Sequence, residues 1–283
     1  MKENFCVQGR KRMSEEVKKE KLHHAAKLER EAHEFRAEKK IDLAFHAFDK
    51  AGKLFREAGD SFKAAICFAS AATCWNQHTG HQSHQYAASR SESAAFEALK
   101  LKDYAYADSL FRQAALLYEK EADYFHYSRC YLNAEDAHLS RLWQVVSTGH
   151  AVHLFADFEA DSNIGIRQRI QALFHFIPGL LSKLMWGYGE KPGRTLACNF
   201  FLILISALIY WGSGLVQVNG VQSAINFGEA IYFSVVTFTT VGYGDFLPLG
   251  WVRGISATEA LCGVVMMPLF LIGLTRRYLR MNR

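Results

Sequence analysis

The sequence predicts an all-α protein in two parts: stacked helical hairpins, then two membrane-spanning helices with a short re-entrant helix between them. Three observations carry that expectation. Apolar residues in the first half recur every three to four positions, with no alternating strand pattern. Charged residues crowd positions 1–40, yet only Glu229, Asp245, Arg253 and Glu259 carry charge between 195 and 275. Two apolar runs in the second half are long enough to cross a bilayer, and a third between them is not.

The composition averages over this division. The 283 residues are 50% hydrophobic and 22% charged, with a net charge of +5. That length suits one large domain or two smaller ones. Basic and acidic residues alternate in the first half, which reads as solvated helix faces rather than a nucleic-acid stripe. The first 20 residues are polar, so no signal peptide is expected. The six cysteines (Cys6, Cys67, Cys74, Cys130, Cys198, Cys262) are widely spaced without a CxxC pair. They read as small buried hydrophobes in a reducing compartment. No Walker motif, dinucleotide fingerprint, catalytic triad or HExxH is present, so neither enzyme activity nor an organic cofactor is expected.

Residues 1–162 form the first expected domain. No proline occurs before Pro178. IDLAFHAFDKAGKLF (41–55) places Leu43, Ala47, Leu54 and Phe55 on or near one stripe, and AYADSLFRQAALLYEKEAD (105–123) does the same with Leu110, Ala114 and Leu117. Both predict amphipathic helices, with breaks at AGD (58–60), NQHTGHQSH (76–84) and LKD (101–103). There is also an internal echo. Shifted by 63 positions, residues 48–71 fall on 111–134 with seven identities, among them Phe48/Phe111, Asp60/Asp123, Phe62/Phe125 and Cys67/Cys130. Small alanine faces interleaved with aromatics suit helix pairs that each bury the next, although shared composition in a plain bundle would give a similar echo. The pattern resembles tetratricopeptide-like repeats, and more closely the helical repeats of soluble NSF-attachment-type proteins; a protein or small-ligand partner is what that resemblance implies. His78, His81 and His84 lie in the second break. They read as a solvated loop, with metal binding the sharper alternative.

Residues 163–194 form a linker. Ile166, Ile170, Leu173, Phe174 and Phe176 give it an apolar side, and Arg167, Arg169 and Lys183 give it basic points. A basic amphipathic segment beside a span suits the lipid interface.

Residues 195–283 form the membrane domain. The first span covers 195–215, with Tyr210 and Trp211 at one interface, and the second covers 254–275. Lysine and arginine precede the first span and follow the second, while 212–252 has neither. Both termini are therefore expected in the cytoplasm, in an integral, multi-pass protein of the cell (inner) membrane. GEAIYFSVVTFTT (228–240) is apolar but too short to cross and predicts a re-entrant helix; the irregular chain after it is tolerated at membrane depth only against protein or a water-filled cavity.

At the end of that helix stands TTVGYGD (239–245), which resembles the selectivity filter of potassium channels, and residues 186–280 as a whole resemble bacterial two-span potassium channels. The resemblance implies that 228–245 is a pore helix and filter, that four chains assemble into a homotetramer, and that K⁺ passes passively. It implies ion sites made by the carbonyls of Thr240, Val241, Gly242 and Tyr243 with the Thr240 hydroxyl, with Gly244 supplying backbone freedom and Val241 and Tyr243 packing behind. Asp245 would sit at the outer mouth, where Val236 replaces a glutamate that some relatives carry. Gly263 and Pro268 become gating-hinge candidates, with close packing as the alternative. Glu259, an acid within a span, is a candidate by position, or a buried structural acid. The earlier Gly187-Tyr188-Gly189 lacks the TTV lead-in and reads as a turn into the first span. The rival to a channel regulated through its repeats is a membrane-anchored adaptor with a silent pore.

Overall fold

A computed structural model describes residues 2–76, 83–150, 152, 154–155, 165–218, 221–222 and 224–281, and for 2–14, 221–222 and 276–281 the backbone only. Two of the three clustered histidines, His78 and His81, lie outside the described residues. The chain divides into two compact units, Met1–Pro178 and Gly179–Arg283.

In the first unit, α1 (Lys2–Ala37), α2 (Ile41–Ala58), α3 (Ser61–Asn76), α4 (Ser83–Lys100), α5 (Tyr104–Lys120) and α6 (Tyr124–Thr148) succeed one another, each packed on the next. Three of the reversals share one chemistry. Gly59, Lys102 and Ala122 adopt left-handed φ angles of 82°, 59° and 56°. An aspartate comes after each and caps the next helix: Asp60 accepts from the Lys63 amide at 3.1 Å, Asp103 from Tyr106 at 3.1 Å and Asp123 from His126 at 3.2 Å. The positive φ ends one helix, and the carboxylate satisfies an orphan donor of the next. Gly59→Ala is expected to lower stability by about 1 kcal/mol, because a left-handed Cβ is strained even where space is free. Ala122→Gly should have the opposite sign; thermal unfolding followed by circular dichroism checks both.

The 63-residue echo is a structural repeat, with α2–α3 corresponding to α5–α6. Phe48 and Phe111, Ala51 and Ala114, Cys67 and Cys130, and Ala71 and Ala134 are all fully buried. Among the described residues, three ion pairs join alternate helices. Asp49 meets Arg90 at 3.1 Å and Glu97 meets Arg56 at 2.8 Å, tying α2 to α4, while Glu92 meets Arg129 at 2.8 Å, tying α4 to α6. The three carboxylates are buried. Pairs of this kind fix register more than they add stability, and here they hold a stack of hairpins rather than a closed bundle.

Burial pushes the Cys67 and Cys130 thiols up to about 12. Both should resist a thiol reagent at pH 8 and react once the unit unfolds. Above the ordinary thiol pKa the unfolded chain loses protons that the folded chain retains. Stability should therefore fall as pH rises from about 8.5 toward 12, read as a falling thermal midpoint.

Helix α7 (Ile166–Met185) crosses the boundary between the units. In its first part the Arg169 guanidinium donates to the Val146 carbonyl at 2.6 Å, and Phe176 lies 5.3 Å from Trp143. Arg169 thus satisfies the C-terminal end of α6 instead of standing free as a basic point. Ala172 is the buried residue of α7, and Ile166, Ile170, Leu173, Phe174, Ile177 and Leu181 are exposed.

The second unit contains α8 (Pro192–Ser213), β1 (Val216–Val218), β2 (Val221–Gln222), α9 (Phe227–Phe238), β3 (Phe246–Pro248) and α10 (Val252–Met281). The strands form an antiparallel sheet in the order β2-β1-β3. Periodicity does not reveal this sheet, because strands of two or three residues are too short to show a period of two. The β1–β3 pairing fastens the chain leaving α8 to the chain just beyond TVGYGD.

Candidate ion-conducting site

Helices α8, over Pro192–Ser213, and α10, over Val252–Thr275, are long and apolar enough to cross a membrane. Their outward faces are apolar, and several polar side chains of the unit are buried. Thr195, Asn199, Ser206, Ser234 and Glu259 are buried, while Leu196, Phe200, Phe201, Ile205, Leu261, Val264 and Leu271 face outward. An extended apolar exterior, over an interior that mixes these polar groups with an apolar cluster of Ala207, Tyr210, Phe233 and Val252, suits lipid and neighbouring chains.

Helix α9 is set between them. Asn226 and Glu229 form a capping box at its start: the Asn226 side chain accepts from the Glu229 amide at 2.9 Å, and the Glu229 carboxylate accepts from the Asn226 amide at 2.8 Å. Ala230, Phe233, Ser234, Val236 and Phe238 are buried. Its last turn takes up the first amides beyond the helix: Thr240 donates to Thr237 at 3.0 Å and Val241 to Val236 at 3.1 Å.

From there the backbone alternates in handedness. Thr240, Gly242 and Gly244 have φ angles of 57°, 55° and 82°, and neither Val241 nor Tyr243 between them has a positive φ. An ordinary strand points successive carbonyls to opposite sides. Reversing φ at every second residue cancels that alternation, and glycine is the residue that tolerates it. Thr240 is not glycine, and a left-handed threonine is the kind of strain that collects at functional sites. Among the described residues no hydrogen bond is made to the carbonyls of residues 240–244. All five residues are exposed in the single chain, Val241 at 53% and Tyr243 at 71%. Gly187, Tyr188 and Gly189 differ: their φ angles of 56°, 55° and 86° are consecutive, which folds the chain tightly into Pro192 at the start of α8.

Asp245 has two partners that sequence reasoning missed. Its carboxylate accepts the Phe246 amide at 3.1 Å and interacts with the Tyr232 hydroxyl of α9. Tyr232 lies thirteen positions back, a separation that the chain reversal after α9 closes.

Glu259 and Gly263 lie one turn apart on α10 and meet two residues one turn apart on α9. The Glu259 carboxylate accepts the Tyr210 hydroxyl of α8 at 2.5 Å and a short hydrogen bond from the Ser234 hydroxyl of α9, with Ser206 of α8 also bonded to it. Ser234 in turn reaches the Ile203 carbonyl of α8 at 2.9 Å. One turn on, a Cβ placed on Gly263 would lie 1.9 Å from the Phe238 carbonyl oxygen. Helix α10 runs unbroken through Gly263 and Pro268. At the next close approach, Gly273 faces the Gly189 carbonyl and Pro192, each 3.5 Å from its would-be Cβ.

The third clustered histidine, His84, lies in the first turn of α4, and its Nδ1 is buried without a hydrogen-bond partner. No group of three or more metal-ligating side chains occurs among the described residues.

No solved structure matches the chain. Residues 187–280, a range that takes in α8, α9, the alternating segment and nearly all of α10, match the Ion_trans_2 family model, whose description is ion channel. The C-terminal part of this protein is thus similar to ion-channel domains, and it carries two helices long and apolar enough to span a membrane.

Proposed function

We propose that four copies of this chain form a potassium-selective channel that conducts K⁺ passively. The observation that carries the reading is the alternation of handedness over residues 240–244, with unclaimed carbonyls, at the end of a helix held between two apolar spans. Carbonyl oxygens released from hydrogen bonding can replace the water shell of a dehydrated cation. Thr240, Val241, Gly242 and Tyr243 supply the oxygens, Gly244 the backbone freedom, and Asp245 anchors the outer mouth through Tyr232. One chain gives one wall of such a pore, so the ring closes only when copies assemble. Their arrival also covers Val241 and Tyr243.

Both termini then lie in the cytoplasm, the exposed apolar side of α7 lies in the lipid interface, and the hairpin stack regulates the pore from its cytoplasmic side. The test is the reversal potential of the full chain in a planar bilayer with K⁺ on one side and Na⁺ on the other. A value near the K⁺ equilibrium potential supports the channel. A current without selectivity removes the filter assignment, and no current in any condition leaves a membrane-anchored adaptor.

A further inference from the structure

Beyond Gly149, which ends α6 with a φ of 72°, the chain lays Leu154 and Phe155 against the hairpin stack. The Phe155 ring stacks between two aromatics from different helices, Phe62 of α3 at 4.8 Å and Tyr106 of α5 at 4.3 Å, with interplanar angles of 17° and 24°. The Leu154 amide donates to Asp103 Oδ2 at 2.7 Å. Asp103 is only 1% exposed, and its other oxygen caps α5. Asp123, which caps the next helix, turns its second oxygen to the ring of His126 in its own first turn, at 2.6 Å. Asp103 has been left to read a main-chain amide from elsewhere.

The aromatic slot is equally particular to this place. By the 63-residue echo Phe62 corresponds to Phe125, which is 75% exposed. Beside Leu154 and Phe155 an open cavity of about 390 Å³ remains, walled by Phe62, Ile66 and Tyr106, with Ser70, Thr73 and Arg36 along it. Leu154 borders the same cavity and is 47% exposed, and the contact that holds it is the one from its amide to Asp103.

A buried acceptor for one backbone N–H, a two-sided aromatic slot for the next side chain, and unfilled space with a cation beside them make a recognition site for an extended peptide. We propose that this α3–α5 groove binds a partner protein's extended segment through a phenylalanine and the amide of the residue before it, and that Leu154–Phe155 occupies the site in cis until displaced. Arg36 favours a segment with an acidic side chain close to that phenylalanine. The proposal goes beyond the channel reading and does not depend on it, since peptide binding requires no current.

A tethered occupant competes at an effective concentration on the order of millimolar. The intact chain should therefore bind an added peptide weakly, and removing the tethered ring should unmask the site. The experiment uses the full chain in lipid nanodiscs and a fluorescein-labelled peptide with the sequence of residues 150–157, read by fluorescence anisotropy. Phe155→Ala protein is expected to bind the peptide at least tenfold more tightly than the wild type. Adding Phe62→Ala or Tyr106→Leu should reverse that gain, and a peptide with alanine in place of its phenylalanine should not bind. Asp103 is left intact because it also caps α5, and circular dichroism verifies that each variant keeps its helices. Folded Phe155→Ala protein that fails to bind, or that binds the alanine peptide equally well, overturns the proposal.

Discussion

Gly263→Ala is expected to destroy ion selectivity while leaving the hairpin stack folded. A methyl group there would need the space held by the Phe238 carbonyl oxygen, 1.9 Å from the new Cβ. That oxygen belongs to backbone and cannot swing aside. Overpacking of this kind typically costs about 1–3 kcal/mol per site, and in the proposed tetramer the strain would be met four times. Phe238 ends α9, two residues before Thr240, so the easiest relief displaces the segment proposed to hold K⁺. The measurement is the reversal potential under opposed K⁺ and Na⁺, with the thermal unfolding of the N-terminal unit as the internal control. A glycine acting only as a hinge would behave differently: alanine would keep the reversal potential at the K⁺ value and lower the open probability. Unchanged selectivity with altered gating would therefore remove the packing role and restore the hinge.

Glu259→Ala is the second large effect. Alanine strands the Tyr210 hydroxyl inside the unit, whereas Ser234 keeps the Ile203 carbonyl, and a buried donor left unsatisfied costs about 1–3 kcal/mol. It also removes a side chain that touches both α8 and α9, so the loss should appear as a lower yield of assembled protein and an earlier thermal transition of the membrane unit. Glu259→Gln keeps an acceptor oxygen and nearly the same volume, and should lie between alanine and wild type. If alanine assembled and melted like wild type, the carboxylate would have no structural role, and its interest would shift to the pore itself.

These two residues also mark where sequence reasoning reaches and where it stops. The TVGYG signature is legible because its chemistry is local: consecutive residues with unusual backbone demands leave their mark in consecutive letters. The apolar spans and the hairpins are legible because a helix repeats its burial every few positions. Gly263 stands out in the sequence as a hinge candidate, but its proximity to Phe238 depends on how α9 sits against α10, and no periodicity encodes that. Likewise Glu259 stands out as an acid in apolar surroundings, while its partners come from two other helices. Arg169 reads as a basic point of the linker and instead closes α6, because a guanidinium on a long stem answers to whichever carbonyls tertiary structure places nearby. The capped reversals at Asp60 and Asp103 fall at expected breaks. The three ion pairs between alternate helices are invisible in the sequence, since charges dozens of positions apart carry no mark of their pairing.

The nearest-neighbour packing of α1 to α6 has a consequence for how the protein is made. A unit whose helices contact mainly their sequence neighbours has low contact order and folds quickly, hairpin by hairpin. All of it precedes α8 in the chain, so synthesis completes it before the first span emerges. In the proposed orientation a folded stack would already stand on the cytoplasmic side when α8 meets the bilayer. A domain in that condition does not thread through a membrane, so the order of synthesis would favour the same topology as the flanking lysines and arginines.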